Sequence, residues 1–174
     1  MLELRDATEA DLPAVAAIYG HHVLHGLASF EEAPPGVDEL RRRFEGVREL
    51  GLPYLACAER GQLVGYAYAS LFRTRSAYRF TLEDSVYVKP GLARKGIGRL
   101  LLGALLERST ALGYRQMVAV IGDSANAASI ELHAALGFLR CGLLRSTGYK
   151  FGRWVDTVMM QRPLGPGDGT PPAR

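Results

Sequence analysis

Residues 82–111 read LEDSVYVKPGLARKGIGRLLLGALLERSTA, and this stretch decides the fold. It predicts a strand over Thr81–Val88, a sharp turn at Pro90-Gly91, a basic glycine-bearing loop, Arg94-Lys95-Gly96-Ile97-Gly98-Arg99, and then a helix. Amides at the start of a helix have no intrahelical partner, and the helix dipole favours negative charge there. With Arg94, Lys95 and Arg99 around them, those amides form a site for a phosphate-bearing ligand. A plain basic turn is the competing reading. A dinucleotide fingerprint fails because Leu101 stands where its third glycine belongs, and GxxxxGK[ST] is absent.

Working outward, Leu2–Asp6 alternates as a first strand, and Thr8 is placed to cap a helix running to about His25. A loop over Gly26–Pro35 carries Phe30, and Asp38–Leu50 is a second helix with a charged, solvated face. Tyr54–Glu59 and Gln62–Leu71 flank Arg60-Gly61 as a hairpin, and the Thr81–Val88 strand continues that antiparallel run. Gln116–Ile121 is a continuous apolar run, as expected of a strand buried on both faces. Asp123 or Ser124 caps a helix from Ala125 to Leu136, and Leu139–Arg145 and Trp154–Gln161 close the sheet. The fold class is α/β (α+β), a single domain over 1–164. The Pro/Gly-rich tail, 165–174, is expected to be disordered. Ligands of open α/β sheets sit beyond strand carboxyl ends, which places this one beside Val88–Arg99.

The chain has 174 residues, 48% of them hydrophobic, and a net charge of +3. That charge is too small to argue for nucleic acid. No apolar run approaches the roughly 20 residues of a membrane span, and the N-terminus has no apolar signal core. Cys57 and Cys141 fit neither a CxxC motif nor a disulfide framework, so a reduced cytoplasmic setting is expected.

Glu83 lies in a strand that goes on through Val86, Tyr87 and Val88, where carboxylates are uncommon unless exposed or recruited. It is either an outward-facing neighbour of Asp84 or a partly buried carboxylate with a raised pKa, suited to act as a general base. Asn126, Ser129 and His133 recur at helical spacing and share one polar face. Arg73 and Arg75, with Tyr78, are candidates for gripping a carboxylate or phosphinate, against the commoner solvated basic loop. His21, His22 and His25 have no Glu or Cys completing a metal set, so no metal site is expected.

Taken together, TLEDSVYV at 81–88, AVIGDSANAASIELHAALGF at 119–138 and GYKFGRWVD at 148–156 resemble the GNAT acyl-CoA-dependent N-acetyltransferases, most closely the phosphinothricin acetyltransferase branch. The resemblance runs from about Leu4 to Leu164. It implies a central, mixed, mostly antiparallel twisted sheet with helices on both faces and a splayed parallel strand pair. It also implies acetyl-CoA as co-substrate. The pantetheine arm pairs with the backbone of Val86, Tyr87 and Val88 and with Asn126, and the diphosphate rests on Arg94–Arg99. Glu83 falls at the family's catalytic glutamate. Phe30, Arg73, Arg75, Tyr78, Ser85, Ser129 and His133 line the pocket of a small amino-acid-like acceptor. His133 stands where many members have a tyrosine, and its role as acid for the thiolate or as acceptor ligand is left open. A homodimer with Tyr149–Asp156 near its interface is implied as well.

The chain departs from the family pattern at one place. Ala93 stands at the usual Arg/Gln position and Arg94 at the usual first glycine, so Arg94 or Lys95 is left to supply the missing charge. Two other readings stand beside the small-acceptor one. They are a non-catalytic acetyl-CoA sensor, and acetylation of a protein N-terminus, a lysine or another small amine.

Overall fold

The computed structural model describes residues 1–172. β1 (Leu2–Asp6) leads through a 3-10 turn at Glu9–Asp11 into α1 (Leu12–His25), then α2 (Val37–Glu49), β2 (Tyr54–Glu59) and β3 (Gln62–Leu71). β4 (Thr81–Val88), α3 (Ile97–Ala111), β5 (Gln116–Gly122), α4 (Ala127–Ala135), β6 (Leu139–Lys150) and β7 (Arg153–Pro163) follow. The strands form one sheet in the order β1-β2-β3-β4-β5-β7-β6, antiparallel throughout except for the parallel pair β4–β5. This is the mixed, mostly antiparallel sheet that the sequence implied.

Strand alternation sorts the two faces. Tyr66 and Tyr87 stack together on the side of α1, where Tyr19 meets Tyr87 edge-on. Gly65 points to the other side, where an added Cβ would stand 2.9 Å from Ile97 and 3.0 Å from Leu101. Glycine is therefore what lets α3 settle on β3 and bury Leu101, Leu102, Leu105 and Leu106. α1 and α2 cover one face and α3 covers the other.

Several boundaries move. Thr8 and Asp11 form a capping box around the 3-10 turn, and the α-helix proper starts at Leu12. Asn126, rather than Asp123 or Ser124, caps α4, its side chain accepting the Ser129 N–H at 3.2 Å. Asp123 has a φ of 70° and makes the turn before it. β6 runs to Lys150, past the expected end at Arg145, because Tyr149 and Lys150 pair again with β7 after an irregular stretch at Leu144/Gly148. Val120 breaks the expected full burial of β5: it faces the space left where β4 turns away.

The loop joining α1 to α2 is tied down. The buried Lys150 ammonium donates to the Gly26 carbonyl at 2.9 Å and the Ser29 carbonyl at 2.7 Å. Tyr19 reaches Ser29 and Glu31, and Glu31 pairs with Arg43. After β7 the Arg115 guanidinium donates to the Gly167, Thr170 and Pro171 carbonyls. Residues 173–174 lie outside the described residues. Among the described residues, no helix is long and apolar enough to cross a membrane.

Candidate active site

The parallel ladder between β4 and β5 is short, pairing Thr81 with Gln116, Leu82 with Met117 and Glu83 with Val118. Beyond Glu83 the strands part. The Lys89 N–H bonds the Val64 carbonyl, so by the two-residue alternation of an antiparallel ladder Glu83, Ser85 and Tyr87 bond β3. The Asp84 N–H still closes the Glu83–Val118 bridge, and beyond it the Asp84 carbonyl and the backbone groups of Val86 and Val88 turn towards the gap. The fork opens a cavity of about 260 Å³ whose wall includes Phe30, Glu83, Asp84, Ser85, Val86, Tyr87, Asn126, Ser129 and His133. β5 contributes Ala119, Val120, Ile121 and Gly122, and β7 contributes Thr157.

Eight of the residues singled out from the sequence therefore line one cavity: Phe30, Glu83, Ser85, Val86, Tyr87, Asn126, Ser129 and His133. Glu83 and Ser85 lie on the α1–α2 face with Tyr87. Burial raises the pKa of Glu83, the neighbouring Asp84 carboxylate adds to the rise, and Arg73 opposes it. A carboxylate so placed holds a proton more firmly than an ordinary one, as a general base working near neutrality must.

His133 enters from α4, opposite Glu83. Its Nδ1 lies 2.7 Å from the Ser129 carbonyl and its Nε2 lies 2.9 Å from Asp84 Oδ2. Both of its ring nitrogens are engaged. Asp84 is a site residue that the sequence reading passed over. The available signal was alternation, which puts adjacent carboxylates on opposite faces of a strand.

Other assigned residues lie apart from the cavity. Arg73, Arg75 and Tyr78 are exposed on the loop between β3 and β4. The Arg73 guanidinium sits over the Phe72 ring, 4.2 Å from its centroid, and donates to the Phe72 carbonyl. Tyr78 packs edge-on against the same ring. Val88 lies at the far end of the open edge, and its carbonyl is already taken by His22 Nε2 at 2.9 Å, an imidazole that the sequence had marked only as an unlikely metal ligand. Among the described residues no group of three His, Cys, Asp or Glu side chains could hold a metal ion.

The basic loop stands beyond the same strand end. Gly96, with φ of 78°, is the N-cap of α3, and the first helical bond runs from the Leu100 N–H to the Gly96 carbonyl. The amides of Ile97, Gly98 and Arg99 thus have no intrahelical partner, and Arg94, Lys95 and Arg99 are exposed around them. Arg94, at the departure from the family pattern, has a φ of 64°. That is a left-handed conformation in which glycine is at ease and arginine is strained. An open strand edge leading to free helix-start amides fits an extended amide-bearing arm that ends in a diphosphate.

Comparison with known proteins agrees with this geometry. Residues 4–159 match the family described as "Acetyltransferase (GNAT) domain". The chain is 55% identical over 169 residues to a phosphinothricin N-acetyltransferase of Alcaligenes faecalis, covering 97% of this chain and 86% of that protein. It is 40% identical over 163 residues to an L-methionine sulfoximine/L-methionine sulfone acetyltransferase of Salmonella typhimurium, covering 94% and 95%. Among solved structures, a GNAT superfamily phosphinothricin acetyltransferase from Sinorhizobium meliloti, in complex with AcCoA, superposes with a TM-score of 0.96 at 52% identity, covering 99% of this chain and 94% of that one. The strand fork, the amide-rich helix start and these likenesses lead to one statement: the chain belongs to the GNAT acetyltransferase family and is an N-acetyltransferase.

Proposed function

We propose that the protein acetylates the α-amino group of small amino-acid-like acceptors of the phosphinothricin and methionine sulfoximine or sulfone type, with acetyl-CoA as donor. The fork at Glu83 carries this reading, because it puts a carboxylate of raised pKa beside an open strand edge. The names of the relatives support the acceptor class. The cavity suits small acceptors rather than a peptide.

Acetyl-CoA supplies a thioester, whose acyl carbon accepts the amine and whose thiolate departs with the C–S electron pair. The backbone of Val86, with Tyr87 and Val88 beside it and the Asn126 amide opposite, holds the pantetheine arm. The Ile97–Arg99 amides, with Gly96 and the side chains of Arg94, Lys95 and Arg99, take the diphosphate. Glu83 removes one proton from the acceptor ammonium, freeing the lone pair that forms the N–C bond. The second proton released from that nitrogen ends on the thiolate, giving free thiol. Neither free cysteine lines the cavity, which favours direct attack over an acyl-cysteine route. Phe30, Ser85 and Ser129 bound the acceptor. Arg73, Arg75 and Tyr78 stand outside the cavity on the exposed β3–β4 loop, and of these Arg73 is close enough to bear on the charge of Glu83.

Pairing of two copies rests on the β6–β7 hairpin, where Tyr149, Phe151 and Trp154 are 58%, 58% and 64% exposed. Free Cys57 and Cys141 fit a cytoplasmic protein.

Thiol release from acetyl-CoA, screened over amino acids and their phosphinate, sulfone and sulfoximine analogues, tests the reading. Release with such acceptors is expected, and Glu83→Gln should cut kcat by about 10²- to 10⁴-fold with acetyl-CoA binding kept. A chain that binds acetyl-CoA and releases no thiol with any amine is a sensor. Unchanged turnover in Glu83→Gln removes Glu83 from the base role.

A further inference from the structure

Asp84 has no part in the reaction as written above. Its side chain is 2% exposed, that of His133 is 6% exposed, and the two meet at 2.9 Å between Oδ2 and Nε2. The other ring nitrogen, Nδ1, lies 2.7 Å from the Ser129 carbonyl. A carbonyl only accepts, so Nδ1 carries a hydrogen. The contact between Nε2 and Oδ2 therefore contains one further proton, whichever atom holds it. Both groups are sealed from water, where a lone charge is costly, so the pair is either imidazolium with carboxylate or imidazole with carboxylic acid. With the Ser129 carbonyl accepting at Nδ1 and the Asp84 carboxylate accepting at Nε2, the proton is assigned to the ring.

We propose that Asp84 is a positioning residue that keeps His133 doubly protonated, so that the cavity wall opposite Glu83 carries a fixed imidazolium. Both N–H groups are committed, one to Ser129 and one to Asp84, so His133 acts through its charge and orientation and does not hand a proton to the thiolate. In the acetyl-transfer reaction, on which this consequence rests, negative charge grows on the acyl oxygen and then on sulfur. The pair is neutral overall, so what steadies both is the local field of the imidazolium fixed in the wall rather than a net positive charge. The other groups around His133 do not compete for its proton. β5 presents Ala119 and Ile121, β7 presents Thr157, and Phe138 meets the imidazole edge-on. Glu83, Asp84 and Tyr87 are the titratable groups in the same cavity wall. Burial by itself lowers the pKa of His133, but the Asp84 bond and charge with the Ser129 carbonyl outweigh it, and the balance is upward.

Nitrogen NMR of histidine-labelled protein tests the charge directly and needs no turnover. His133→Gln identifies the His133 signals by their loss. At about pH 7.5 both His133 nitrogens should be protonated in the native chain, and Asp84→Asn should lose one of those protons. A singly protonated His133 in the native chain overturns the proposal, and that spectrum decides even if the variant fails to fold. In the thiol-release assay, Asp84→Asn should lose kcat by about tenfold per pH unit above the lowered midpoint, while the native rate stays level there. A variant profile parallel to the native one, offset by a constant factor, would mean that Asp84 is only structural. Absence of thiol release with every acceptor counts against the acetyl-transfer reading and leaves the NMR result to decide the charge of His133.

Discussion

Lys150→Met should loosen the acceptor side of the cavity while leaving the cofactor side alone. Methionine keeps most of the buried stem and removes both donors to the Gly26 and Ser29 carbonyls. A charge-assisted bond contributes about 1.5–3 kcal/mol. Gly26 is half-exposed, so its carbonyl can regain water, whereas Ser29 is buried and its carbonyl cannot. Burial also lowers the pKa of Lys150, so part of the gain is already spent on desolvating the ammonium. The net loss is then about 2 kcal/mol, or about 4–8 °C in Tm for a domain of this size. Gly26 and Ser29 bracket the turn that delivers Phe30 to the cavity, so the acceptor KM should rise by about tenfold. The acetyl-CoA KM should hold within about twofold. Thermal melts and two-substrate kinetics check this. An unchanged Tm with an unchanged acceptor KM would refute the reasoning.

Three further outcomes are expected. The folded chain holds the Glu83 proton more tightly than the unfolded chain, so ionised Glu83 costs stability near neutral pH. Glu83→Gln should therefore be the more stable protein at pH 7, with the gap closing as pH falls through the raised pKa towards the ordinary carboxyl value; equal denaturation midpoints throughout would count against it. Arg94→Gly should relieve about 1 kcal/mol of left-handed strain and weaken acetyl-CoA binding by a few-fold, with a shallower salt dependence, as titrations at two ionic strengths would reveal. Gly148→Ala would bring a Cβ to 2.5 Å from the Phe30 ring, which must swing aside. The preference among acceptors of different size should change, at a cost of about 1–3 kcal/mol measured by urea unfolding.

The strand, loop and helix over 81–111 were legible because their signals are local: alternation, a glycine at a left-handed position and a leucine-rich helix face. Glu83, Asn126, Ser129 and His133 were legible because a carboxylate in a central strand, or a polar stripe on a helix, departs from what the local pattern asks for. The partner of His133 was not, since Asp84 lies 49 positions away and meets it only through the pairing of β4 with β5. The same holds for Lys150, whose carbonyl partners lie 124 and 121 positions earlier. Nothing in the sequence near Val88 announces that His22 occupies its carbonyl. The cap of α4 was misplaced by two or three residues because Asp123, Ser124 and Asn126 are all capable acceptors. Only the turn at Asp123 decides among them.

The fork between β4 and β5 has a consequence for solubility as well as for chemistry. It leaves a strand edge in the middle of a sheet whose amides and carbonyls around Val86 have no partner strand, a feature that at a sheet's rim invites pairing with another chain. Here the edge is a notch. It spans only 84–88, is closed at one end by the Glu83–Val118 pairing, and has β3 fully bonded behind it. An extended peptide would have to thread that slot against flanking side chains, whereas a slender arm with one amide every few atoms needs no such room. The shape of the notch screens out aggregation partners before any specific contact is made.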